Sequence, residues 1–169
     1  MEKLISIAFL VTFLSCNIRN DNNINENSKD INSIKEVLYL QQKCWNNGDI
    51  NGFMQGYWSS DKLIFTSDKY RPAYGWENTL NRYKESYPNI SSMGELRFEI
   101  LDIELTSKKT ADLYGKWELI RDEDHPEGFF WLELKKFNQS WLITKDSTIE
   151  EYVQIYQDCW ARSYYLLNQ

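Results

Sequence analysis

A single histidine, His125, is all the imidazole this chain has, and its scarcity removes several chemistries at once. A Ser/His/Asp or Cys/His nucleophilic triad would have to draw that one ring into a pocket from Asp122-Glu123-Asp124-His125-Pro126-Glu127. Carboxylates and an imidazole that close together could hold a divalent cation. A proline-containing acidic segment between two strands reads instead as a solvated hairpin loop, and with no second ligand cluster no metal site is expected. Glycine is sparse as well, at 7 residues, and forms no glycine-rich phosphate loop, so no cofactor is expected. Positive charge is short: 19 Lys and Arg against 25 Asp and Glu leave a net charge of -6, which repels a phosphate backbone. No basic patch interleaved with aromatics offsets this, and nucleic acid is excluded as a partner. There are no internal repeats, and the apolar run from Leu4 to Leu14 is too short to cross a bilayer comfortably.

What is abundant is apolar and aromatic surface. Hydrophobic residues make up 42% and aromatics 15% of the 169 residues, enough for one folded domain with a sizeable core plus targeting and tail segments. The first 16 residues carry Lys3, the apolar run, and Phe13-Leu14-Ser15-Cys16, a small residue before a cysteine. This arrangement resembles a bacterial lipoprotein signal, which implies lipidation of Cys16 as the mature N-terminus. Phe13 stands where such signals prefer an aliphatic residue. Residues 17–31, rich in Asn, read as a flexible tether. The expected location is the bacterial cell envelope, held to the membrane through the lipid on Cys16 and facing the periplasm or exterior. Cys44 and Cys159 are the remaining thiols, and two readings stand: a disulfide, or two separately buried small side chains.

Residues 32–148 carry the domain. Ser33 and Glu36 form a capping-box signal, followed by Ile34, Val37, Leu38, Gln41, Cys44 and Trp45 at helical spacing. Gly48 ends that helix and Asp49 caps a second, with Ile50, Phe53, Met54 and Tyr57 on one face. Leu63 to Ser67 reads as a strand, Asp68 to Pro72 as a polar loop, and Gly75 opens a third helix carrying Trp76, Leu80, Tyr83 and Tyr87 until Pro88. From Glu95 the period becomes two. Leu96, Phe98 and Ile100 alternate with charged residues, and Leu101 breaks phase before Ile103 and Leu105, which predicts a bulge and a bend. Ala111, Leu113, Gly115, Trp117 and Leu119 share one face of the next strand. Phe130, Leu132 and Leu134 share one face of another, opposite Phe129, Trp131 and Glu133, and Asn138-Gln139 turns the chain into Trp141 to Asp146. Ser147 or Thr148 caps a C-terminal amphipathic helix over 149–169, with Tyr152, Ile155, Tyr156, Cys159, Trp160, Tyr164 and Leu167 in one stripe. That stripe must cover something: its own domain, the cavity mouth, or a second copy.

Helices first and a strand meander after give an α+β fold. The segment from Cys44 to Pro88, with Trp45-Asn46-Asn47-Gly48-Asp49, Phe53-Met54-Gln55-Gly56-Tyr57-Trp58 and Tyr74-Gly75-Trp76, resembles the nuclear transport factor two-like superfamily. The likeness is to its SnoaL-like and ketosteroid-isomerase-like proteins, in a branch labelled a domain of unknown function. The resemblance implies a cone-shaped curved antiparallel sheet packed with three N-terminal helices around a cavity open at one end. It places there a small organic ligand among the inward aromatics Trp45, Tyr57, Trp58, Tyr74, Trp76, Tyr83, Phe98, Trp117 and Trp131. A homodimer through the open sheet face is a further possibility.

Ketosteroid-isomerase-like relatives use a carboxylate base on the first strand and a tyrosine on the first helix to hold an oxyanion. Counting from Gly48-Asp49 puts the tyrosine position on Gln41, and counting from Asp61 puts the base position on Thr66. Neither an amide nor a hydroxyl abstracts a carbon-bound proton near neutral pH, which disfavours that mechanism. Two readings follow. One is an envelope-anchored binding module whose cavity captures a mostly apolar small molecule, with Gln41 and Thr66 among its polar contacts. The other is a SnoaL-like isomerase, hydratase or hydrolase with Asp146 or Asp61 as general base and Tyr57 or Tyr83 as polarising donor.

Overall fold

The computed structural model describes residues 15–149, with side chains from residue 26 onward. Residues 1–14 of the expected 1–16 signal, the side chain of Cys16, the Cys44–Cys159 pairing and the tail beyond Ile149 lie outside the described residues.

The first helix, α1, runs from Ser15 to Asn46. It therefore takes in residues 17–31, the segment expected as a tether, and Ser33 does not cap it. The Ser33 hydroxyl donates instead to the Lys29 carbonyl at 2.9 Å, a back-bond inside a continuing helix. The anchor that composition could not reveal is Asp30, a buried carboxylate accepting from Lys136 Nζ at 2.6 Å and from Trp141 Nε1 at 3.1 Å. Burial alone would push the Asp30 carboxyl up. The Lys136 ion pair and the Trp141 bond outweigh it and hold it below the ordinary value.

Gly48 ends the α1 exit with a φ of 74°, a left-handed conformation that costs a residue without Cβ little. Asp49 then caps α2, Ile50–Phe53, by accepting from Gly52 N at 2.8 Å, and a 3-10 turn over Met54–Gly56 leads to Tyr57. Strand β1 spans Ile64–Ser67 and pairs with a two-residue strand, β2, Ala73–Tyr74. Helix α3 covers Trp76–Ser86, and a short helix absent from the sequence expectations, α4, covers Ile90–Met93. Asn89 opens α4 with a capping box whose side chain accepts from Ser92 N at 2.9 Å.

Four strands form the meander: β3 Glu95–Ser107, β4 Thr110–Ile120, β5 Glu127–Phe137 and β6 Ser140–Ile149. The six-stranded sheet has the order β2-β1-β6-β5-β4-β3, and all its pairings are antiparallel except β1 with β6, which is parallel. A register shift between Ile100 and Asp102 puts a bulge at Leu101, where the phase of the sequence breaks. Strand β6 continues through Ile149, so neither Ser147 nor Thr148 caps a helix. Ser147 is paired with Thr66 on one side and Trp131 on the other, which holds this backbone in the ladder.

Helix α1 crosses the concave face and covers the open edge of β3. Asn46 accepts from Leu96 N at 2.7 Å and donates to Leu96 O at 3.0 Å, and Gln42 Oε1 accepts from Phe98 N at 2.7 Å. Side chains thus satisfy the backbone groups a bare edge strand would leave open. Fixed at Asp30 and at Asn46, the helix buries Ile34, Leu38 and Trp45 between those two ends. The core lies between helices and sheet, and the cavity takes what the core leaves unfilled.

Candidate functional site

The cavity measures about 400 Å³ and draws its walls from nearly every element. Helix α1 contributes Gln41 and Trp45, the α2 segment Phe53 and Tyr57, and α3 Arg82, Tyr83 and Ser86, with Tyr87 just beyond. Strand β1 adds Phe65 and Ser67, and the loop after it Lys69 and Tyr70. The sheet supplies Leu96, Phe98, Trp117, Leu119, Phe130 and Leu132, and Arg121 and Asp124 stand in the β4–β5 connection. The rings meet mainly edge to face. Trp45 contacts Phe53 at 5.2 Å and Tyr87 at 4.7 Å between centroids, and Tyr83 lies 5.1 Å from Phe53 and 5.6 Å from Phe65.

Asp146 and Thr148 enter the cavity because of an irregularity. On β6 the inward residues Trp141 and Ile143 set a parity that would carry on to Lys145 and Ser147. The register shifts from Leu134↔Ile143 to Glu133↔Lys145, which leaves Thr144 as an extra residue. Its hydroxyl donates to the Glu133 carbonyl at 3.1 Å and to Glu133 Oε1 at 3.0 Å. Past this bulge the parity is reversed: Asp146 and Thr148 face the cavity, and Lys145 lies 5.0 Å over the Trp131 ring on the opposite face.

Asp146 is 5% exposed and accepts two hydrogen bonds, from Tyr57 Oη at 2.6 Å and from Thr148 Oγ1 at 3.1 Å. Burial pushes its carboxyl up to about 6, while the two donors pull the other way. Burial, with the Asp146 charge added, drives the Tyr57 and Tyr83 hydroxyls well above the ordinary phenol range, so both stay protonated at physiological pH. The Tyr57 proton is committed to Asp146, so the Tyr57–Tyr83 contact at 3.3 Å uses the Tyr83 proton. This end of the cavity offers lone pairs. Donors stand elsewhere: Trp117 Nε1 and Arg82 Nη1 are buried with no hydrogen-bond partner among the described residues. A buried donor left unmade costs about 1–3 kcal/mol, so a ligand or solvent acceptor at either atom is favoured.

Of the residues singled out from the sequence, the fold brings Gln41, Trp45, Tyr57, Tyr83, Phe98, Trp117 and Asp146 to this cavity. Gln41 is buried with its amide donating to the Phe53 carbonyl at 3.1 Å, so it braces the α2 turn. The others lie elsewhere. Asp61 is exposed and accepts from Ser60 Oγ at 3.2 Å. Trp58 stacks on Phe137 at 5.0 Å, and Trp76 donates its indole N–H to the Met54 carbonyl at 3.0 Å. Tyr74 is 60% exposed. Trp131 follows its strand's alternation onto the other face with Phe129. Thr66 points away from the cavity between inward Phe65 and Ser67, donating to Ser147 Oγ at 2.9 Å and to the Asp146 carbonyl at 3.2 Å. In the acidic loop, Asp124 pairs with Arg121 and His125 with Glu118 at 2.7 Å. Period-two spacing on the strands could have found Phe65 and Phe130. Arg82 and Ser86 share one α3 face at i, i+4, but nothing local marks that face as a cavity wall.

No protein-family model matches the chain, and no curated protein matches it. Solved structures do. An NTF2-like protein of unknown function from Shewanella oneidensis is 38% identical, with a TM-score of 0.68 over 71% of this chain and 98% of its own. A ketosteroid isomerase-like protein from Erwinia carotovora matches at 15% identity and TM-score 0.58, over 71% of this chain and 95% of its own. A putative aromatic ring hydroxylase from Novosphingobium aromaticivorans matches at 12% and 0.59, over 74% and 91%. The last two carry the fold alone. The first spans nearly its whole length at an identity that fold convergence does not produce, and with the curved sheet and helix-walled hollow it establishes that this chain belongs to the NTF2-like family.

Proposed function

We propose that this is a small-molecule-binding protein of the cell envelope, anchored through a lipid on Cys16, that holds an organic ligand in its aromatic-walled cavity. One observation carries the binding reading: about 400 Å³ of ring-lined space, within the range of ligand sites, with two buried donors, Arg82 Nη1 and Trp117 Nε1, that the described chain leaves unpartnered. A site that was merely an imperfectly filled core would pair its polar tips. The test is a thermal-shift screen of aromatic and aliphatic acids, alcohols and amines, since any ligand of the folded state raises the melting temperature. Silence across the whole collection sinks the reading. For the anchor, Cys16→Ser should abolish incorporation of a labelled fatty acid and release the protein from membranes; unchanged membrane retention refutes it.

A second reading is catalysis of proton transfer with Asp146 as general base and Tyr83 or Tyr57 beside it. It is favoured by the buried, cavity-facing carboxyl held at about 6, mostly ionised at neutral pH yet basic enough to take a proton. Asp61, exposed and outside the cavity, drops out of it. Exchange of an acidic carbon-bound proton of a bound ligand into deuterated water, seen with the wild type and lost in Asp146→Asn, decides for catalysis. Equal exchange by both proteins decides against it.

A further inference from the structure

Resting on the binding reading above, we propose that the cavity is built for a ring-bearing organic anion. Its acidic group accepts from Arg82 Nη1, and an oxygen on its body accepts from Trp117 Nε1.

The charges around the cavity lead to this. Arg121 clamps Asp124 through Nε at 2.5 Å and Nη2 at 2.8 Å, and its Nη1 donates to the Ser92 carbonyl at 3.1 Å. That cation is neutralised and its donors are engaged. Asp146 is taken up by Tyr57 and Thr148. Arg82 differs: Nη2 donates to the Arg71 carbonyl, and its guanidinium lies over Phe65 at 5.4 Å and Tyr70 at 5.9 Å. No carboxylate among the described residues pairs with it, and Nη1 is buried without an acceptor. A lysine in such a place can shed its proton. A guanidinium cannot, so the charge persists and its partner must come from outside the described chain. A planar fork backed by rings is the geometry that binds carboxylates.

Trp117 narrows the class. An indole N–H only donates, so a hydrocarbon or an ammonium ligand would leave both Arg82 Nη1 and Trp117 Nε1 unmet. The walls decide the body: Tyr83 and Tyr87 stack at 26° between planes, and Leu96, Phe98 and Phe130 offer flat apolar surface that a bare inorganic anion would not use.

The experiment is calorimetric titration of the full chain with 2-naphthoate, 6-hydroxy-2-naphthoate, 2-naphthalenemethanol, 2-naphthylmethylamine and inorganic phosphate. The acid should bind at least tenfold tighter than the alcohol of the same shape, with no binding of amine or phosphate. The 6-hydroxy acid should exceed the plain acid in the wild type and lose that advantage in Trp117→Phe, which keeps a ring without the N–H. Arg82→Gln should bring the acid down to the alcohol's affinity. Alcohol or amine binding as tightly as the acid overturns the anion inference and leaves the cavity reading standing, as does tight binding of phosphate alone. Absence of binding by every organic probe overturns the anion inference, and joined to silence in the thermal-shift screen it overturns the binding reading as well. The wild-type comparison stands even if a variant fails to fold.

Discussion

Tyr57 Oη and Asp146 Oδ2 stand 2.6 Å apart although 89 positions separate them in the chain. The backbone arranges the meeting: Tyr57 forms a parallel bridge with Ile143, and Trp58 N donates to the Ile143 carbonyl at 2.9 Å, just before the Thr144 bulge. The turn after α2 is thereby joined to β6 where the bulge reverses its parity. Donor and acceptor are set by main-chain pairing, and the side chains then need little freedom to find each other.

Asp146 makes stability depend on pH in a definite direction. Its folded-state carboxyl is raised from 3.8 to about 6, so the native state holds a proton that the unfolded chain has already released. Its contribution is fully present below about 4 and is lost as pH rises through about 6, a difference of about 3 kcal/mol. Urea unfolding at steps from pH 4 to 8 should show the wild type losing this much relative to Asp146→Asn. Parallel curves for the two proteins would contradict the assignment.

Tyr57→Phe removes the stronger of the two donors to that carboxylate. The Asp146 carboxyl should titrate at a higher pH than in the wild type, read by carbon-13 NMR of labelled aspartate. Stability should fall by about 1–3 kcal/mol, more at pH 8 than at pH 5, because a donor to an ionised acceptor is worth more than one to a neutral carboxyl. An unmoved titration would mean that the 2.6 Å bond does not persist in solution.

Asp30 ties α1 to the β5–β6 hairpin through two donors, and Asp30→Ala leaves the Lys136 ammonium largely buried and unpaired. The expected loss is about 2 kcal/mol or more, seen as a lower urea midpoint at neutral pH. A change within about 0.5 kcal/mol would place Asp30 in solvent instead.

Gly115→Ala tests the close approach of β4 to its neighbours. An added Cβ would stand 2.4 Å from Phe130 Cζ and 2.7 Å from the Glu99 carbonyl oxygen. The ring is held against Phe98 at 5.3 Å between centroids, and the carbonyl belongs to the paired strand, so neither yields freely. A loss of about 1–3 kcal/mol in chemical denaturation is expected, together with weaker binding of any cavity ligand, because Phe130 is a wall.

Much of the frame was legible because local physics writes it locally. Gly48 and Asp49 announced a helix exit and entry, and the broken phase at Leu101 announced the bulge. The alternation on β4 and β5 sorted Leu113 from Tyr114 and Leu132 from Trp131. Trp131 was then expected in the cavity on the strength of its ring alone, against its own alternation, and the alternation was the better guide. The start of α1 was misread because Ser33 and Glu36 satisfy a capping pattern whether or not a helix already runs through them.

From its own letters the chain determined periodicity, caps and turns, hence the order of elements and the face each strand turns inward, because these depend on neighbours within a few residues. Only the tertiary structure decided that Asp146 points into the hollow, that Asp30 anchors a helix, and that Arg82 Nη1 and Trp117 Nε1 have no hydrogen-bond partner among the described residues. Those outcomes depend on how segments far apart in the chain are brought together, and for Asp146 one extra residue at Thr144 sets which face it takes.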